Sequence, residues 1–489
     1  MNVLQWIEQR SGLVSLTTDF LTEDVPGGAS YWYVFGSATL FAMILQIVTG
    51  IFLTFYYAPS TASAWESTNY IYKDVTFGQF VISLHYWGAT AMIALVIMHL
   101  LQVVLWGSYK APRELQWVTG ILMLIITLVL GLTGYLLPWD MNAYFASQVA
   151  INITSSVPII GNATQQFLTG GPGIGTLTIN RFFGLHVWLM PAALVLLVVA
   201  HLVFFRHNGS AGPPVDKDLK KLPQGRFWPD QMLMDAVASF AVFVVIVLLA
   251  IFSPPTLDVK ADPTQQFIAY PAWYFLALYG LLRLAGQTPA AVTTIANLLA
   301  TVVIPGALVT FLILLPFLDR NPSRQISRRP WVVGLTAISL VVAIGLSLFS
   351  QLAIQKEQAD AHQGPFAPPV VAAAVTGGGS APAVNQHGAQ VFSQNCASCH
   401  QANGLGTPSV FPPLGGNPDV TGPATPVIHT VLYGLAGKKI GGVSYTAQMP
   451  AWKTNLTNAD IAAVISYVRA SFGNKAAAVT EADVAKVPK

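Results

Sequence analysis

Long apolar runs separated by short polar loops dominate the first 350 residues of the chain. A hydrocarbon core of about 30 Å needs about 20 helical residues, and seven of these runs are long enough to cross it. The runs are 32–56, 79–105, 114–136, 182–205, 232–253, 292–317 and 331–352. The pattern therefore predicts an all-α protein, with a bundle of seven transmembrane helices followed by a small α-helical domain.

The polarity of the chain changes on both sides of the bundle. Residues 354–385 are rich in Pro, Gly and Ala, which is typical of a flexible linker. Residues 386–472 have the mixed polarity of a small soluble domain, and we expect 473–489 to be a mobile tail. Before the first run, the mixed pattern of "VLQWIEQRSGLVSLTTDFL" predicts a helix lying on the membrane surface.

Composition agrees with a membrane protein, because 53% of the residues are hydrophobic and only 9% are charged. Soluble domains average about 25% charged residues. The net charge is +3, and no basic tract suggests nucleic-acid binding. The loops after the second, fourth and sixth runs hold most of the basic residues, namely Lys110, Arg113, Arg206, Lys217, Lys220, Lys221, Arg226, Arg320, Arg324, Arg328 and Arg329. By the positive-inside rule these loops and the N-terminus are cytoplasmic, and the C-terminal domain is external.

Four histidines lie within the apolar runs. His85 and His99 are fourteen residues apart in the second run, and His186 and His201 are fifteen apart in the fourth. Fourteen residues of α-helix return to within about 40° of the starting direction and fifteen to within about 60°, over about 21 Å of axis. Each helix thus presents two imidazoles on roughly one face. Two such helices can clamp two iron porphyrins, with His85 and His186 on one iron and His99 and His201 on the other.

Glycines repeat the histidine spacing in the flanking runs. Gly36 and Gly50 are fourteen apart in the first run, and Gly120 and Gly134 are fourteen apart in the third. Glycine at these positions leaves room for two stacked porphyrins. The alternative is that the histidines are core residues bonded to polar groups and the glycines allow close helix packing. Four histidines in two pairs, with matching glycines, favour two haems about 20 Å apart.

A second haem signature lies in the C-terminal domain. "NCASCH" contains C-x-x-C-H, in which Cys396 and Cys399 would form thioethers and His400 would bind iron. These are the only cysteines of the chain. The alternative for a C-x-x-C motif is a redox-active or zinc-binding cysteine pair. Met449 in "AQMPAW" is the predicted sixth ligand, and Thr457 or Asn458 is expected to cap the last helix. Bacterial c-type haem is attached outside the cytoplasm, which agrees with the charge bias and predicts the bacterial inner membrane.

Several stretches resemble the cytochrome b core of cytochrome bc complexes, and the C-terminal domain resembles a class I cytochrome c. The stretches are "YKAPRELQWVTG" (109–120), "GLTGYLLPWDMNAY" (131–144) and "PGALVTFLILLPFLDRNPSRQISRRP" (305–330). The likeness is closest to the plastoquinol type, in which this core is split into a four-helix cytochrome and a three-helix subunit IV. Residues 1–225 and 226–353 correspond to these two parts, fused in one chain.

The resemblance implies two quinone sites. An external site, where quinol is oxidised, would use Pro271, Trp273 and Tyr274, with Asp140 nearby. The alternative for Asp140 is a helix cap or a turn residue. A cytoplasmic quinone-reducing site would have Asp19, Arg206 and His207 at matching positions, although both basic residues are also ordinary for a cytoplasmic loop.

Three positions depart from the family pattern. Ala272 stands where the family has a glutamate that is thought to accept a quinol proton, and alanine cannot accept one. Val34 stands where the plastoquinol type has the cysteine that tethers an extra haem, so a covalent third haem is not expected. Tyr86 replaces an arginine that usually follows the first histidine.

The sequence thus predicts a cytochrome b and c fusion subunit of a proton-translocating quinol oxidoreductase, with two b haems, one c haem and bound quinone. One cysteine pair cannot supply a Rieske cluster, so a Rieske iron–sulfur protein is an expected partner. A c-type cytochrome or terminal oxidase would accept the electrons, and the family suggests a dimer in membrane lipid. Ala272 keeps open a transmembrane haem conduit without quinol bifurcation. A transporter with a tethered cytochrome is a third alternative, but the inverted repeats and broken helices usual in transporters are not evident.

Overall fold

Seven helices are long and apolar enough to cross a membrane, which confirms the predicted spans. Spans 1 to 7 are Tyr31–Thr54, Gly78–Trp106, Glu114–Tyr135, Thr176–Asn208, Phe227–Phe252, Ala291–Leu318 and Pro330–Glu357. The computed structural model describes residues 2–12, 14–15, 18, 21–171, 173–262, 267, 269–363, 387–389, 391–392, 395–396, 400, 404, 411–435, 439–440, 443–444, 449–454 and 456–488.

Spans 1 to 4 form the centre of the bundle, with span 1 packed along span 2 and span 3 packed along span 4. The buried alanines Ala38 and Ala42 of span 1 meet Met92 and Leu95 of span 2, and Leu194 of span 4 joins this cluster. Small residues allow helix backbones to approach closely where lipid provides no hydrophobic drive. The small side chains Ala38 and Ala42 therefore allow span 1 to pack closely on span 2.

The last three spans surround this centre. Span 5 packs on spans 1 and 2, and span 6 packs on span 3, where Trp117 Nε1 donates to the carbonyl of Leu312 at 2.6 Å. Span 7 packs on a short helix, Leu276–Gly286. The Ser350 hydroxyl of span 7 donates a hydrogen bond to the carbonyl of Leu276. The C-terminal three spans thus cover two sides of the histidine-bearing centre.

The spans alternate in direction, so the bundle has two ends. The arginine-rich end holds loops 107–113, 209–226 and 319–329, and the opposite end holds loops 55–77, 136–175 and 253–290. Between the spans lie the helices Ala64–Lys73, Met141–Ser155, Gly161–Thr169 and Leu276–Gly286. At the arginine-rich end, strand Asp24–Pro26 pairs antiparallel with Gln224–Arg226, and the helix Val3–Ser11 precedes it.

Buried charges tie the arginine-rich end together. Arg329 is fully buried and donates to the carbonyls of Val104, at 3.0 Å, and Leu105, where span 2 ends. The last carbonyls of a helix lack partners within the helix, and Arg329 supplies donors to them. Close by, Asp319 accepts from Lys110 at 2.7 Å and from the Tyr109 hydroxyl. The end of span 2 is thereby fixed to the loop before span 7.

The C-terminal domain is built on helices packed around one apolar cluster. The described elements are the helices Pro418–Thr421, Ala424–Tyr433, Asn458–Ala470 and Glu481–Ala485 and the paired strands Lys439–Ile440 and Val443–Ser444. Thr457 caps Asn458–Ala470 through a capping box with Asp460, as the sequence predicts. Phe392, Ile428 and Ile461 lie at the centre of the cluster.

The expectation of a mobile tail from residue 473 is wrong. Val479, Val484 and Val487 are buried in the same cluster as the helices of the domain. The Ser466 hydroxyl donates to the carbonyl of Val479 and accepts from its N–H, at 2.9 and 2.8 Å. Three valines spaced over nine residues were too few to reveal this packing in the sequence, yet they complete the core of the domain.

Candidate functional site

The first histidine pair is assembled by spans 2 and 4. The ring centroids of His85 and His186 are 6.1 Å apart, and the rings are inclined at 75°. An imidazole nitrogen binds a metal at about 2.0–2.1 Å and lies about 1 Å from the ring centre, so two rings on one metal have centres about 6 Å apart. The spacing of this pair therefore fits one metal atom between the two imidazoles.

A π-helical turn explains the fifteen-residue spacing in span 4. Span 4 consists of Thr176–Gly184, a π-helical turn at Leu185–Leu189, and Met190–Asn208. A π turn accommodates one more residue than an α turn, and such turns often occur at functional sites. His186 lies inside it, so the extra residue between His186 and His201 is absorbed and the fifteen-residue spacing gives the orientation of a fourteen-residue one.

Each of the four predicted glycines faces one of the four histidines. A Cβ atom built on Gly134 would lie 2.5 Å from Cε1 of His186, which is too close for any side chain. The corresponding distances are 3.3 Å from Gly50 to His85, 3.4 Å from Gly36 to His99 and 3.5 Å from Gly120 to His201. The glycines thus set the distance between helix backbone and imidazole. At Gly134 no side chain larger than hydrogen fits without moving the histidine.

Threonines next to three of these glycines hydrogen-bond the histidines, a feature the sequence analysis missed. The hydroxyls of Thr49, Thr119 and Thr133 lie 2.9, 3.0 and 3.2 Å from Nδ1 of His85, His201 and His186. The signal was present, because each threonine immediately precedes its glycine. The histidine spacing alone gave no reason to examine the preceding position.

The direction of these hydrogen bonds follows from the threonine hydroxyls. Each hydroxyl hydrogen is already donated to a carbonyl of its own helix, for example from Thr49 to Leu45 at 2.7 Å and from Thr133 to Val129 at 2.8 Å. The threonine oxygen is therefore an acceptor for the imidazole, and Nδ1 carries the proton. This tautomer leaves Nε2 with a free lone pair, which is the form that binds a metal.

The second pair, His99 and His201, differs at one position. Phe35 precedes Gly36, where the other three glycines follow a threonine. Nδ1 of His99 is buried and has no hydrogen-bond partner within the described residues. Two imidazoles from facing spans at each level are a donor set that fits an iron porphyrin. Within the described residues, three of the four imidazoles have a hydrogen-bond acceptor on Nδ1.

Of the residues predicted for quinol oxidation, Tyr274 lies near the first pair. Tyr274 packs on Gly131 of span 3, where a built Cβ would lie 2.9 Å from the tyrosine hydroxyl oxygen. Gly131 is one helical turn from Gly134, which faces His186. Burial raises the pKa of the Tyr274 phenol well above its usual range. Tyr274 is therefore a neutral hydroxyl next to the first pair.

The segment carrying Pro271 and Trp273 is fixed to the end of span 3. The carbonyl of Tyr270 accepts hydrogen bonds from the Tyr135 hydroxyl at 2.8 Å and from the Asn142 side-chain amide at 3.2 Å. The backbone N–H of Tyr270 in turn donates to the side-chain oxygen of Asn142. Trp273 begins a short 3-10 turn ahead of the helix Leu276–Gly286 and is 44% exposed. Pro271 and Trp273 thus lie at the rim of the site and Tyr274 lies within it.

Asp140 caps the helix Met141–Ser155, which was the alternative interpretation of this residue. Its carboxylate accepts from the N–H of Ala143 at 2.8 Å and from that of Asp258 at 3.3 Å. Burial raises the pKa of Asp140 above its usual value despite these hydrogen bonds. The helix cap is the role of Asp140 that the hydrogen bonds describe, and burial favours its protonated form.

At the arginine-rich end, Arg206 forms an ion pair with Glu23, and both side chains are partly exposed. Burial raises the pKa of Glu23, and the nearby Arg206 guanidinium opposes that effect. Asp19, the other residue predicted here, lies outside the described residues. His207 is exposed. The pairing of Arg206 with Glu23 was missed, because nothing in the sequence distinguishes Glu23 from other acidic residues in the N-terminal segment.

A buried carboxylate in span 5 is a further residue that the sequence analysis missed. Asp235 is 9% exposed and accepts from the Ser37 hydroxyl at 3.0 Å and from the Gln231 amide at 2.9 Å. Ser37 follows Gly36, which faces His99. An acidic residue inside a membrane span indicates a functional site by default, and Asp235 near the start of an apolar run was that signal.

In the C-terminal domain, His400 is 9% exposed and its Nδ1 lies 3.0 Å from the carbonyl of Pro412. As in the bundle, a proton on Nδ1 leaves Nε2 free for a metal. Cys396 and Met449 pack against the same apolar cluster, and the Met449 backbone pairs with Leu435. Cys399 lies outside the described residues. The residues that are described fit a covalently attached haem, as the C-x-x-C-H signature predicts.

Comparisons with known families match three parts of the chain. Residues 20–209 match the family described as Cytochrome b/b6/petB, residues 260–362 match Cytochrome b(C-terminal)/b6/petD, and residues 386–471 match Cytochrome c.

Individual relatives cover the membrane part. The chain is 42% identical over 216 residues to the menaquinol:cytochrome c reductase cytochrome b subunit of Geobacillus thermodenitrificans, covering 42% of this chain and 96% of that protein. It is 31% identical over 372 residues to cytochrome b of Allochromatium vinosum, covering 71% and 88%. The structure titled "Hyperthermophilic respiratory Complex III" matches with a TM-score of 0.62 at 27% identity, over 71% of this chain and 91% of that one. The chain therefore belongs to the cytochrome b family and carries a cytochrome c domain at its C-terminal end.

Proposed function

We propose that this chain is the b- and c-haem subunit of a proton-translocating quinol oxidoreductase in a bacterial inner membrane. His85 with His186 and His99 with His201 would hold two b haems, and Cys396, Cys399, His400 and Met449 would hold one c haem. Bound haem supplies one-electron oxidation and reduction at iron. The name of the Geobacillus relative makes menaquinol the first quinol to test and a c-type cytochrome the first acceptor.

The single observation that carries this proposal is the arrangement around the first pair. Two imidazoles from different spans lie 6.1 Å apart, and both Nδ1 atoms are hydrogen-bonded to threonine. Both Nε2 lone pairs are thus available to one metal. Histidines that served only packing would not need glycine opposite each ring. At Gly134, a Cβ atom on any other residue would collide with the His186 ring.

Quinol oxidation is proposed at the opposite end, beside the first pair. Tyr274 would donate a hydrogen bond to a quinol oxygen, since its phenol is neutral and buried. Ala272 offers no carboxylate, so Asp140 is the proposed proton acceptor. Its raised pKa moves it toward the range in which a general base works near neutral pH. The proton would then leave through the exposed loops at this end.

Quinone reduction is proposed at the arginine-rich end, near the second pair. Asp235 and Ser37 form a hydrogen-bonded pair next to Gly36, and Arg206 and Glu23 provide charged groups closer to the surface. A carboxylate inside a span and a surface ion pair together offer a route by which a proton can reach a buried quinone. The basic loops support a cytoplasmic location for this end and an external location for the cytochrome c domain.

The test is oxidant-induced reduction in the complex purified from native membranes. With a menaquinol analogue present, adding an oxidant should increase the reduced b-haem absorbance, and the increase should require a Rieske protein. Tyr274→Phe should slow the increase, while Tyr56→Phe, an exposed tyrosine in the loop after span 1, should not. Quinol that fails to reduce b haem under any of these conditions contradicts the proposal.

A second candidate function is a transmembrane haem conduit without bifurcation, and Ala272 is the observation that favours it. The conduit would show b-haem reduction that does not depend on the added oxidant or on a Rieske protein. The same preparation therefore separates the two functions. Restoring the carboxylate with Ala272→Glu sharpens the distinction, because it should accelerate turnover only if quinol is oxidised at this site.

A further inference from the structure

The hydrogen bonds to the four histidines are unequal, and the inequality follows one sequence pattern. Threonine precedes glycine at 49–50, 119–120 and 133–134, whereas Phe35 precedes Gly36. The three threonine oxygens lie 2.9–3.2 Å from the Nδ1 atoms of their histidines. The first pair therefore has an acceptor on both imidazoles, and the second pair has one on His201 alone.

The fourth histidine is the exception in the structure as well as in the sequence. Nδ1 of His99 is buried, and no residue in the described part of the chain hydrogen-bonds it. Gly36 lies against this ring just as the other glycines lie against theirs, with a built Cβ 3.4 Å from Cε1. At all four positions, therefore, the backbone of a glycine lies against a histidine ring. The difference is confined to the side chain before the glycine.

Phe35 fills this position with apolar surface. It packs against the cluster that contains Ala38, Ala42 and Met92, so its ring is part of the contact between spans 1 and 2. A phenyl ring has no lone pair that could accept strongly from an N–H group. Phe35 thus occupies the position before Gly36 that a threonine occupies before each of the other three glycines, and it offers no acceptor to Nδ1 of His99.

We propose that Phe35 is a positioning residue that raises the reduction potential of the haem held by His99 and His201. This inference rests on the proposed function, because it requires that the two pairs bind b haems. An acceptor on Nδ1–H increases the basicity of the imidazole and so favours the oxidised iron. Without one, His99 is a weaker donor to iron, and the reduced state is favoured. Electrons at the first pair then move more readily to the second.

The direct test replaces Phe35 with threonine in the intact complex. Phe35→Thr should lower the potential of the second-pair haem and leave the first-pair haem unchanged. One hydrogen bond corresponds to about a fivefold to tenfold change in the one-electron reduction equilibrium, and at 59 mV per tenfold this is roughly 40–60 mV. The readouts are a potentiometric titration of the b bands and the low-spin electron paramagnetic resonance g-values of each haem.

Phe35→Val is the matched control, since valine has the shape of threonine but no hydroxyl. Both variants create the same cavity beside His99, so only the hydroxyl distinguishes them. Thr49→Val provides the reciprocal variant, because it removes the acceptor of His85 and should raise the potential of the first-pair haem. This second variant remains informative if the Phe35 variants fold poorly.

Haem content separates a failure of this inference from a failure of the proposed function. A wild-type complex without two b haems per c haem overturns the proposed function and, with it, this inference. A complex with both b haems in which Phe35→Thr and Phe35→Val have the same potentials overturns the inference alone. So does a Thr49→Val variant whose first-pair potential is unchanged.

Discussion

The two ends of the membrane bundle place histidine and glycine in the same way, but they are closed by different side chains. At the arginine-rich end, buried charges meet: Arg329 is fully buried beside Tyr109, and Asp319 pairs with Lys110. At the opposite end lie the phenols of Tyr135 and Tyr274 and one partly buried carboxylate, that of Asp140. The two ends thus share the arrangement of histidines and glycines. They differ in the ionisable side chains that surround each histidine pair.

The two sets of side chains differ in the charge that they carry. Neutral hydroxyls add no net charge near the first pair, whereas an uncompensated buried charge is costly. At the arginine-rich end, Asp235 accepts two hydrogen bonds and Glu23 forms an ion pair with Arg206. Under the proposed function, this difference supports proton release at the opposite end and proton uptake at the arginine-rich end.

The largest expected effect comes from removing one histidine at each end. His186→Leu at the opposite end and His201→Leu at the arginine-rich end should each lower the b-haem content from two to at most one per c haem. Loss of one ligand removes the metal bond that holds the group. A pyridine haemochrome assay measures the ratio, and His207→Leu, an exposed histidine, is the control. Two b haems in both variants would contradict the shared arrangement.

The next effect distinguishes the four glycines. Gly134→Ala should displace His186 and lose most of the first-pair haem, because its Cβ would lie 2.5 Å from the ring. Gly36→Ala, at 3.4 Å, requires only a small shift and should keep both haems with a shifted spectrum. Gly306→Ala in span 6 meets no atom within 4 Å and is the control. Optical spectra of the purified complexes report the outcome, and equal haem loss in all three would contradict it.

Stability should depend strongly on Arg329 and weakly on its neighbour. Arg329→Met leaves the carbonyls of Val104 and Leu105 without a donor, at a cost of about 2–5 kcal/mol. Arg328 pairs with Asp216 at 3.2 Å, but its side chain is 64% exposed, so Arg328→Met should cost about 0–1 kcal/mol. Thermal unfolding of the complex measures both. Similar losses in the two variants would show that buried charge does not hold this end together.

The smallest effect concerns pH at the opposite end. Burial raises the pKa of Asp140 above its usual 3.8, so folding favours the protonated form. Its contribution to stability is present below about pH 4 and is lost as the pH rises through the raised pKa. The difference in unfolding temperature between Asp140→Asn and the wild type should therefore shift in favour of the variant by roughly 1–3 °C when the pH is raised from 4 to 8. Asp74→Asn, at an exposed position, should show no such gain.

Much of this architecture was predictable from spacing alone. Helix geometry fixes which positions share a face, so the pairing of His85 with His186 and the facing glycines followed from residue numbers. The seven spans followed from the length of the apolar runs. The apolar runs and the spacing of histidines and glycines depend only on the regular geometry of a helix, so they can be found by counting residues.

The remaining features depend on contacts between distant segments. Asp235 meets Ser37 across 198 positions of the chain, and Arg206 meets Glu23 across 183. No periodicity connects such residues, so their pairing cannot be predicted from residue numbers. The valines of the C-terminal segment were missed for the same reason. Asp140 combines both cases, because its capping hydrogen bond from the Ala143 N–H is local and was the alternative interpretation, whereas its hydrogen bond from the Asp258 N–H spans 118 positions.

The wide turn at Leu185–Leu189 also shows how a helix can hold one more residue without rotating the positions beyond it. A π-helical turn takes up one residue more than an α-helical turn, so His186 and His201 both face span 3 although they are fifteen residues apart. A count of residues between two histidines therefore does not decide on its own whether their imidazoles point to the same side of a helix. The hydrogen-bonding pattern of the helix between them decides it as well.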